Sequence, residues 1–265
     1  MYQLHGRDAA YTKVPGEFLL FCRERDRQKE LWDGSRMGPE GAVEHYSADD
    51  AFPIADLDDI LPGLMEERER VFFAMGSDPA FDKRVSDWVS QVRSRARAGV
   101  HGPIEFLALD HYLHDMRLYK SREELRLMRK AGQITAAGHV RAMRYCAPGK
   151  FEYQLQADFE HACARRGATR QAYPAIVGGG NNACILHYVE NEALLVDGEL
   201  LLIDAAAEYR HLTADITRTF PVNGRFTDRQ RAVYNAVLRV KNEATKLLRA
   251  VGYESNEDIV ALFGK

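Results

Sequence analysis

The sequence predicts a mixed α/β protein, α+β in the order of its elements, built in two parts that meet near residue 120. Three observations carry this reading. Short apolar runs ended by charge or glycine read as buried strands. Between them lie segments whose apolar residues recur along one face of a helix. Finally, Ser121 followed by Glu124 is spaced to cap a new helix and marks a fresh start in the chain. With 265 residues the chain is long enough for two ordinary domains with buried cores.

The first part, residues 1–119, holds "GEFLLFCRER" (Gly16 to Arg25) and "RVFFAMG" (Arg70 to Gly76), both expected strands. The Gly/Pro/Asp-rich stretch from Asp33 to Pro62 is too broken for long helices. Its acidic residues Asp49, Asp50, Asp56, Asp58 and Asp59 lack the D-x-D-x-D-G spacing of a calcium loop. They read as a solvated loop and a helix N-terminus. "PAFDKRVSDWVSQVRSRARAG" is a helix with Phe81, Val85, Trp88, Val89 and Val92 on one face, closed by Gly99. The basic run after Val92 complements the carbonyl end of that helix. Together these elements make a small, partial α/β unit.

The second part, residues 120–265, opens with a helix running to Cys146–Gly149, then a second, "EYQLQADFEHACARRG", ending on Gly167. "AYPAIVGGGNNACILHYV" reads as two strands joined by a tight Gly-Asn turn. A dinucleotide loop is excluded there because a strand, not a helix, is expected next, and Ala183 stands where a third glycine belongs. His187 alternates with apolar neighbours in that second strand, and Cys184 reads as a small buried hydrophobe. The last helix opens at Thr227 with Gln230 as its capping partner. Its stripe of Val233, Val237, Val240, Ala244 and Leu247 reads as core-facing, and Gly252 can stop it.

Between these lies "LLLIDAAAEYRHLTADITRTF", in which Asp204 and Asp215 interrupt two strand-like runs. A turn centred on Tyr209–Arg210 sets the aspartates directly opposite each other, with Cβ atoms ~4.5–5.5 Å apart. Two ionised carboxylates that close repel, so a proton or a cation belongs between them. Aspartate oxygens with an imidazole suit manganese, zinc or cobalt. The spacing also admits a plainer account, two partly solvated strand-end carboxylates capping loops.

Composition removes other classes. A 46% apolar and 28% charged chain of net charge -3 has no basic surplus for nucleic acid or a membrane surface. No apolar run approaches the ~18 residues of a membrane span, and the N-terminus lacks the apolar core of a signal peptide. The four cysteines (Cys22, Cys146, Cys163, Cys184) are scattered, against a disulfide framework and against a cysteine zinc site. A cytoplasmic protein is expected.

The run from Tyr173 to Leu238, "YPAIVGGGNNACILHYVENEALLVDGELLLIDAAAEYRHLTADITRTFPVNGRFTDRQRAVYNAVL", closely resembles the aminopeptidase P (Xaa-Pro aminopeptidase) branch of the pita-bread metallopeptidases. The similarity extends back through "RLYKSREELRLMRKAGQITAAGHVRAM" and more loosely to "EFLLFCRERD". The resemblance implies a partial N-terminal domain over 1–119, then the first half of a pita-bread catalytic domain over 120–265. It implies a hydrolase with two Mn(2+) ions that removes the residue preceding a proline at the second position of a peptide. Asp204 matches the first aspartate ligand and Asp215 a ligand bridging both metals, while His187 matches a catalytic histidine facing the substrate. No further cofactor is implied, and homo-oligomer formation is left open.

The chain also departs from the family. The family's remaining ligands, a histidine and two glutamates, come from a later stretch. Here no histidine follows His211, and the later glutamates Glu243, Glu254 and Glu257 stand in no matching motif. The N-terminal fifteen residues and the tail from Val251 drift from the pattern too. A chain truncated at both ends and inactive alone is expected. The alternative is a non-catalytic pita-bread module that binds peptides without cutting them.

Overall fold

Why the catalytic-looking strands sit where they do follows from how each half of the chain buries its apolar faces. The computed structural model describes residues 10–12 and 17–251. The chain divides into two compact units, Met1–Tyr119 and Lys120–Lys265. The Gly252 stop and most of the drifting tail lie outside the described residues.

The first unit contains β1 (Ala10–Thr12), β2 (Leu19–Cys22), α1 (Arg27–Asp33), α2 (Gly38–Tyr46), β3 (Asp50–Pro53) and α3 (Leu57–Met65). Then follow β4 (Arg70–Phe73), α4 (Pro79–Ser94), β5 (Glu105–Ala108) and α5 (Leu109–Leu118). β2 pairs antiparallel with β1 and parallel with β3, while β4 and β5 form a separate parallel pair. The expected strands at β2 and β4 are present, and the broken stretch yields only short helices. Asp58 and Asp59 lie in the first turn of α3, where negative charge complements the helix dipole. Asp58 also accepts a 2.8 Å hydrogen bond from the indole Nε1 of Trp88, tying α3 to α4. Val85, Trp88, Val89 and Val92 are buried against Phe21, Leu57, Leu61 and Met65, as the α4 periodicity requires. That helix ends at Ser94, and a short 3₁₀ turn carries the chain to Gly99.

The second unit opens with α6 (Arg122–Tyr145) and α7 (Glu152–Ala164). The Ser121 capping box is formed: the Ser121 amide donates to Glu124 at 2.7 Å, and the Glu124 amide to the Ser121 hydroxyl at 3.2 Å. The sheet follows, with β6 (Arg170–Gln171), β7 (Ile176–Gly179), β8 (Leu200–Tyr209) and β9 (Leu212–Pro221), then α8 (Asp228–Val251). β8 is central, pairing antiparallel with β9 on one side and with β6 and β7 on the other.

One face of this sheet packs on the two helices through Ile203, Ala205, Ala207, Ile134, Leu155 and Phe159. α6 and α7 come close because Gly138 has no side chain; a Cβ there would lie 2.7 Å from the Phe159 ring. Burying this cluster is the main stabilising term of the unit.

Three expectations fail here. "CILHYV" is not a strand: residues Gly180–Cys184 form a 3₁₀ turn, and the chain is irregular to Asn191. The reason is backbone crowding, since a Cβ on Gly178 would meet the backbone of Asn182 and Ala183 at 2.9 Å. The glycines let the chain fold back on its own strand, and the ground for excluding a dinucleotide loop changes accordingly. Cys184 is exposed rather than buried. The α8 stripe is uncovered: Val233, Val237 and Val240 are 60%, 63% and 70% exposed, so helical periodicity here marks an apolar face without a covering surface in the described residues.

Candidate functional site

The hairpin of β8 and β9 sets the geometry. Its loop is Arg210–His211, both with positive φ (50° and 67°), and Tyr209 pairs with Leu212. Two positive-φ residues in a two-residue loop match the twist of the flanking strands. The turn is therefore one residue later than the Tyr209–Arg210 centre expected. Asp204 stands opposite Thr217 and Asp215 opposite Ala206, not opposite each other. Because side chains alternate with period two, this shift of register keeps both carboxylates on the same face. They are diagonal neighbours, a separation of ~7–8 Å between positions rather than ~5 Å.

A residue that the sequence reading missed closes that gap. The Tyr173 hydroxyl contacts both carboxylates, Asp204 in a short contact and Asp215 at 2.8 Å. Its placement comes from a break between β6 and β7. Residues 172–175 span only Ala205 and Ala206 of β8, so the chain bulges there. Pro174 has no amide to give to a ladder and holds Tyr173 extended. The Tyr-Pro pair ahead of an apolar run was the available signal.

A phenol carries one proton, so it can donate to only one of the two carboxylates at a time. Among the described residues no lysine or arginine ion-pairs with either aspartate. Burial first, and then both carboxylates, push the Tyr173 pKa upward. The centre thus has more acceptors than protons, which fits oxygen ligation of a divalent cation. The fit is that of a partial shell. Among the described residues no group of three histidine, cysteine or acidic side chains is placed to hold a metal.

His187 lies on the turn after the 3₁₀ segment and is exposed. It makes no hydrogen bond or ion pair with Asp204, Asp215 or Tyr173 among the described residues. The structure brings together the two aspartates and Tyr173, and leaves His187 on a separate strap. That strap is anchored from within. Glu152, fully buried at the start of α7, accepts from the Gly179 amide (2.7 Å), Asn182 Nδ2 (3.1 Å), the Tyr188 hydroxyl (2.8 Å) and the Ala193 amide (2.9 Å).

Beneath the aspartate face, His139 of α6 is buried with Nε2 3.3 Å from the Ala205 carbonyl. Among the described residues its Nδ1 has no hydrogen-bond partner, and burial lowers its pKa.

The comparisons with known proteins place the chain in a family. A model of metallopeptidase family M24 matches residues 126–259, and one of the aminopeptidase P N-terminal domain matches residues 6–73. The Xaa-Pro aminopeptidase of Escherichia coli K12 is 41% identical over 87% of this chain and 52% of its own length. Human Xaa-Pro aminopeptidase 3 is 34% identical over 86% of this chain and 44% of its own. Among solved structures, Pseudomonas aeruginosa aminopeptidase PepP superposes with a TM-score of 0.85 at 54% identity, covering 87% of this chain and 53% of that one. Zinc-substituted E. coli aminopeptidase P in complex with product gives 0.82 at 42% identity, covering 84% and 51%. The chain spans about half the length of the curated relatives it matches. The expected lineage and the order of its two domain types are borne out. The chain belongs to metallopeptidase family M24, in its aminopeptidase P branch.

Proposed function

We propose that this chain carries one side of the active centre of a divalent-metal Xaa-Pro aminopeptidase. Asp204 and Asp215 are the metal ligands, two Mn(2+) ions are the native pair, and His187 is the catalytic histidine facing the substrate. The observation that carries the reading is the convergence of two carboxylates on a single phenolic proton, with no lysine or arginine ion-paired to either among the described residues. Divalent ions bound there would supply Lewis-acid activation of water and of the scissile carbonyl. The chain's own part is to hold two oxygen donors on a rigid hairpin. Tyr173 keeps them aligned while its proton offsets part of their repulsion. Peptides with proline at the second position are the proposed substrates. The four free cysteines support a reducing, cytoplasmic setting. No helix among the described residues is long and apolar enough to cross a membrane.

The second reading, a peptide-binding module without catalysis, draws on the lack of a third ligand among the described residues. One titration separates the two. Mn(2+) binding to the chain, followed by electron paramagnetic resonance, is expected to weaken at least tenfold in Asp204→Asn and in Asp215→Asn. Equal binding by wild type and both variants would sink the metal reading. Metal-independent binding of an Xaa-Pro peptide would then support the module.

A further inference from the structure

We propose that Glu152 is a positioning residue for His187, anchoring the strap that carries the histidine to the start of α7. This rests on the reading of His187 as the substrate-facing histidine.

The strap runs from the end of β7 to Leu195, and both its ends are fixed beside Glu152. At the far end Leu194 bridges to Phe151, the Leu195 amide donates to the Lys150 carbonyl (2.7 Å), and the Gly149 amide to the Leu195 carbonyl (2.9 Å). At the near end Gly179 donates directly to the Glu152 carboxylate. Inside the strap the polar residues turn inward. Asn182 donates to both Glu152 and the Tyr188 hydroxyl (3.0 Å), and Tyr188 donates to Glu152. Asn191, 2% exposed and at positive φ, donates to Gln156 Oε1 (2.9 Å) and to the Ala175 carbonyl (2.8 Å), while its own oxygen accepts from the Val177 amide (2.9 Å).

The outer residues are the reverse. Ile185 and Leu186 are 54% and 89% exposed, and His187 is exposed beside them. A segment of irregular backbone with an outward apolar edge has little packing to hold it. Its fixed course therefore depends on the inward bonds, and four of them end on one carboxylate. Each oxygen of Glu152 receives two donors, one a backbone amide and one a side chain. Geometry of this kind fixes where the strap enters, turns and leaves. His187 is the residue next to Tyr188, the strap's own donor to the hub.

Glu152→Gln is the test, because it keeps the shape and removes one acceptor oxygen. The first measurement is hydrogen–deuterium exchange on the full chain. Amides between Gly179 and Ala193 are expected to exchange about tenfold faster or more, while α6 and β8 keep their protection. The second is the His187 ring resonance, assigned by its loss in His187→Gln. It is expected to shift or broaden in Glu152→Gln while that of His139 stays in place. Glu152→Asp, which keeps both oxygens, is expected to restore part of each signal. Unchanged exchange in the strap, uniform loss across the whole unit, or an unmoved His187 resonance would each overturn the proposal. Titration of the wild-type chain with an Xaa-Pro dipeptide tests the underlying reading separately. A His187 resonance blind to the peptide removes its substrate role and leaves the exchange result to decide the clamp alone.

Discussion

Two carboxylate centres in the second unit differ in how many donors they receive. Glu152 is fully buried and takes four hydrogen bonds onto its two oxygens. Asp204 and Asp215 share one phenolic proton between four oxygens. The first arrangement is complete without a ligand, whereas the second is short of positive charge. Four donors offset part of the cost of burying the Glu152 carboxylate. The aspartate pair has a single side-chain donor among the described residues, and a cation there would offset its repulsion. Counting donors per carboxylate thus separates an internal brace from a candidate metal site, although both are acidic and lie in the same fold.

The largest effect that would break this contrast is on stability. Glu152→Ala takes the acceptor from one buried and three part-buried donors, and is expected to destabilise the second unit by about 3–5 kcal/mol. Asp204→Asn in metal-free protein removes a charge repelled by Asp215, so its effect is expected within about 1 kcal/mol and of either sign. Tyr173→Phe takes away the donor that, among the described residues, lies between the aspartates. It is expected to cost about 1–2 kcal/mol without metal. Chemical denaturation of the three variants side by side checks the order. If Asp204→Asn proved as damaging as Glu152→Ala, the aspartates would be structural and the contrast would collapse.

These differences also show what could be seen in the sequence. Apolar periodicity found α4 and α6, and the Ser121 capping box placed the start of α6, because these depend on contacts within a few residues. The aspartate pair was legible because a carboxylate inside a strand conflicts with burial. Its exact pairing was not, since the turn Arg210–His211 lacks an Asn-Gly signature and any register of the same parity keeps both charges on one face. The strap of His187 was misread as a strand because "CILHYV" has strand composition. What overrides that composition is a carboxylate at Glu152, which hydrogen-bonds residues 27 to 41 positions later. Such a distant partner leaves no local trace. Tyr173 was hidden for the same reason, its partners lying 31 and 42 residues away.

A smaller effect sharpens the comparison from below the sheet. His139 is buried, its Nδ1 has no hydrogen-bond partner among the described residues, and its folded-state pKa is lowered, with burial the main cause. The unfolded chain therefore binds a proton at higher pH than the folded one. Stability is expected to be full above the unfolded value of about 6.5 and to fall as pH drops below it, by up to about 1.4 kcal/mol per pH unit until the folded value is reached. The difference between wild type and a His139 variant over pH 6.5 to 5 isolates this histidine. Denaturation midpoints of wild type and His139→Gln across that window check it. Parallel curves would show that His139 protonates equally in both states.

The smallest change in stability is expected at the exposed stripe of α8. Val233, Val237 and Val240 stand on one helical face with more than half of each side chain in solvent. Nothing is lost from a packed core when such a residue becomes charged, so Val237→Lys is expected to move the unfolding free energy by no more than about 0.5 kcal/mol. The same substitution places a charge in the middle of an apolar patch, which disfavours burying it against any other surface. Sedimentation at rising protein concentration is therefore expected to show less association for the variant than for wild type. If instead Val237→Lys were strongly destabilising and association were unchanged, the stripe would be packed in solution after all. The helical periodicity that marked it as core-facing would then be the better guide.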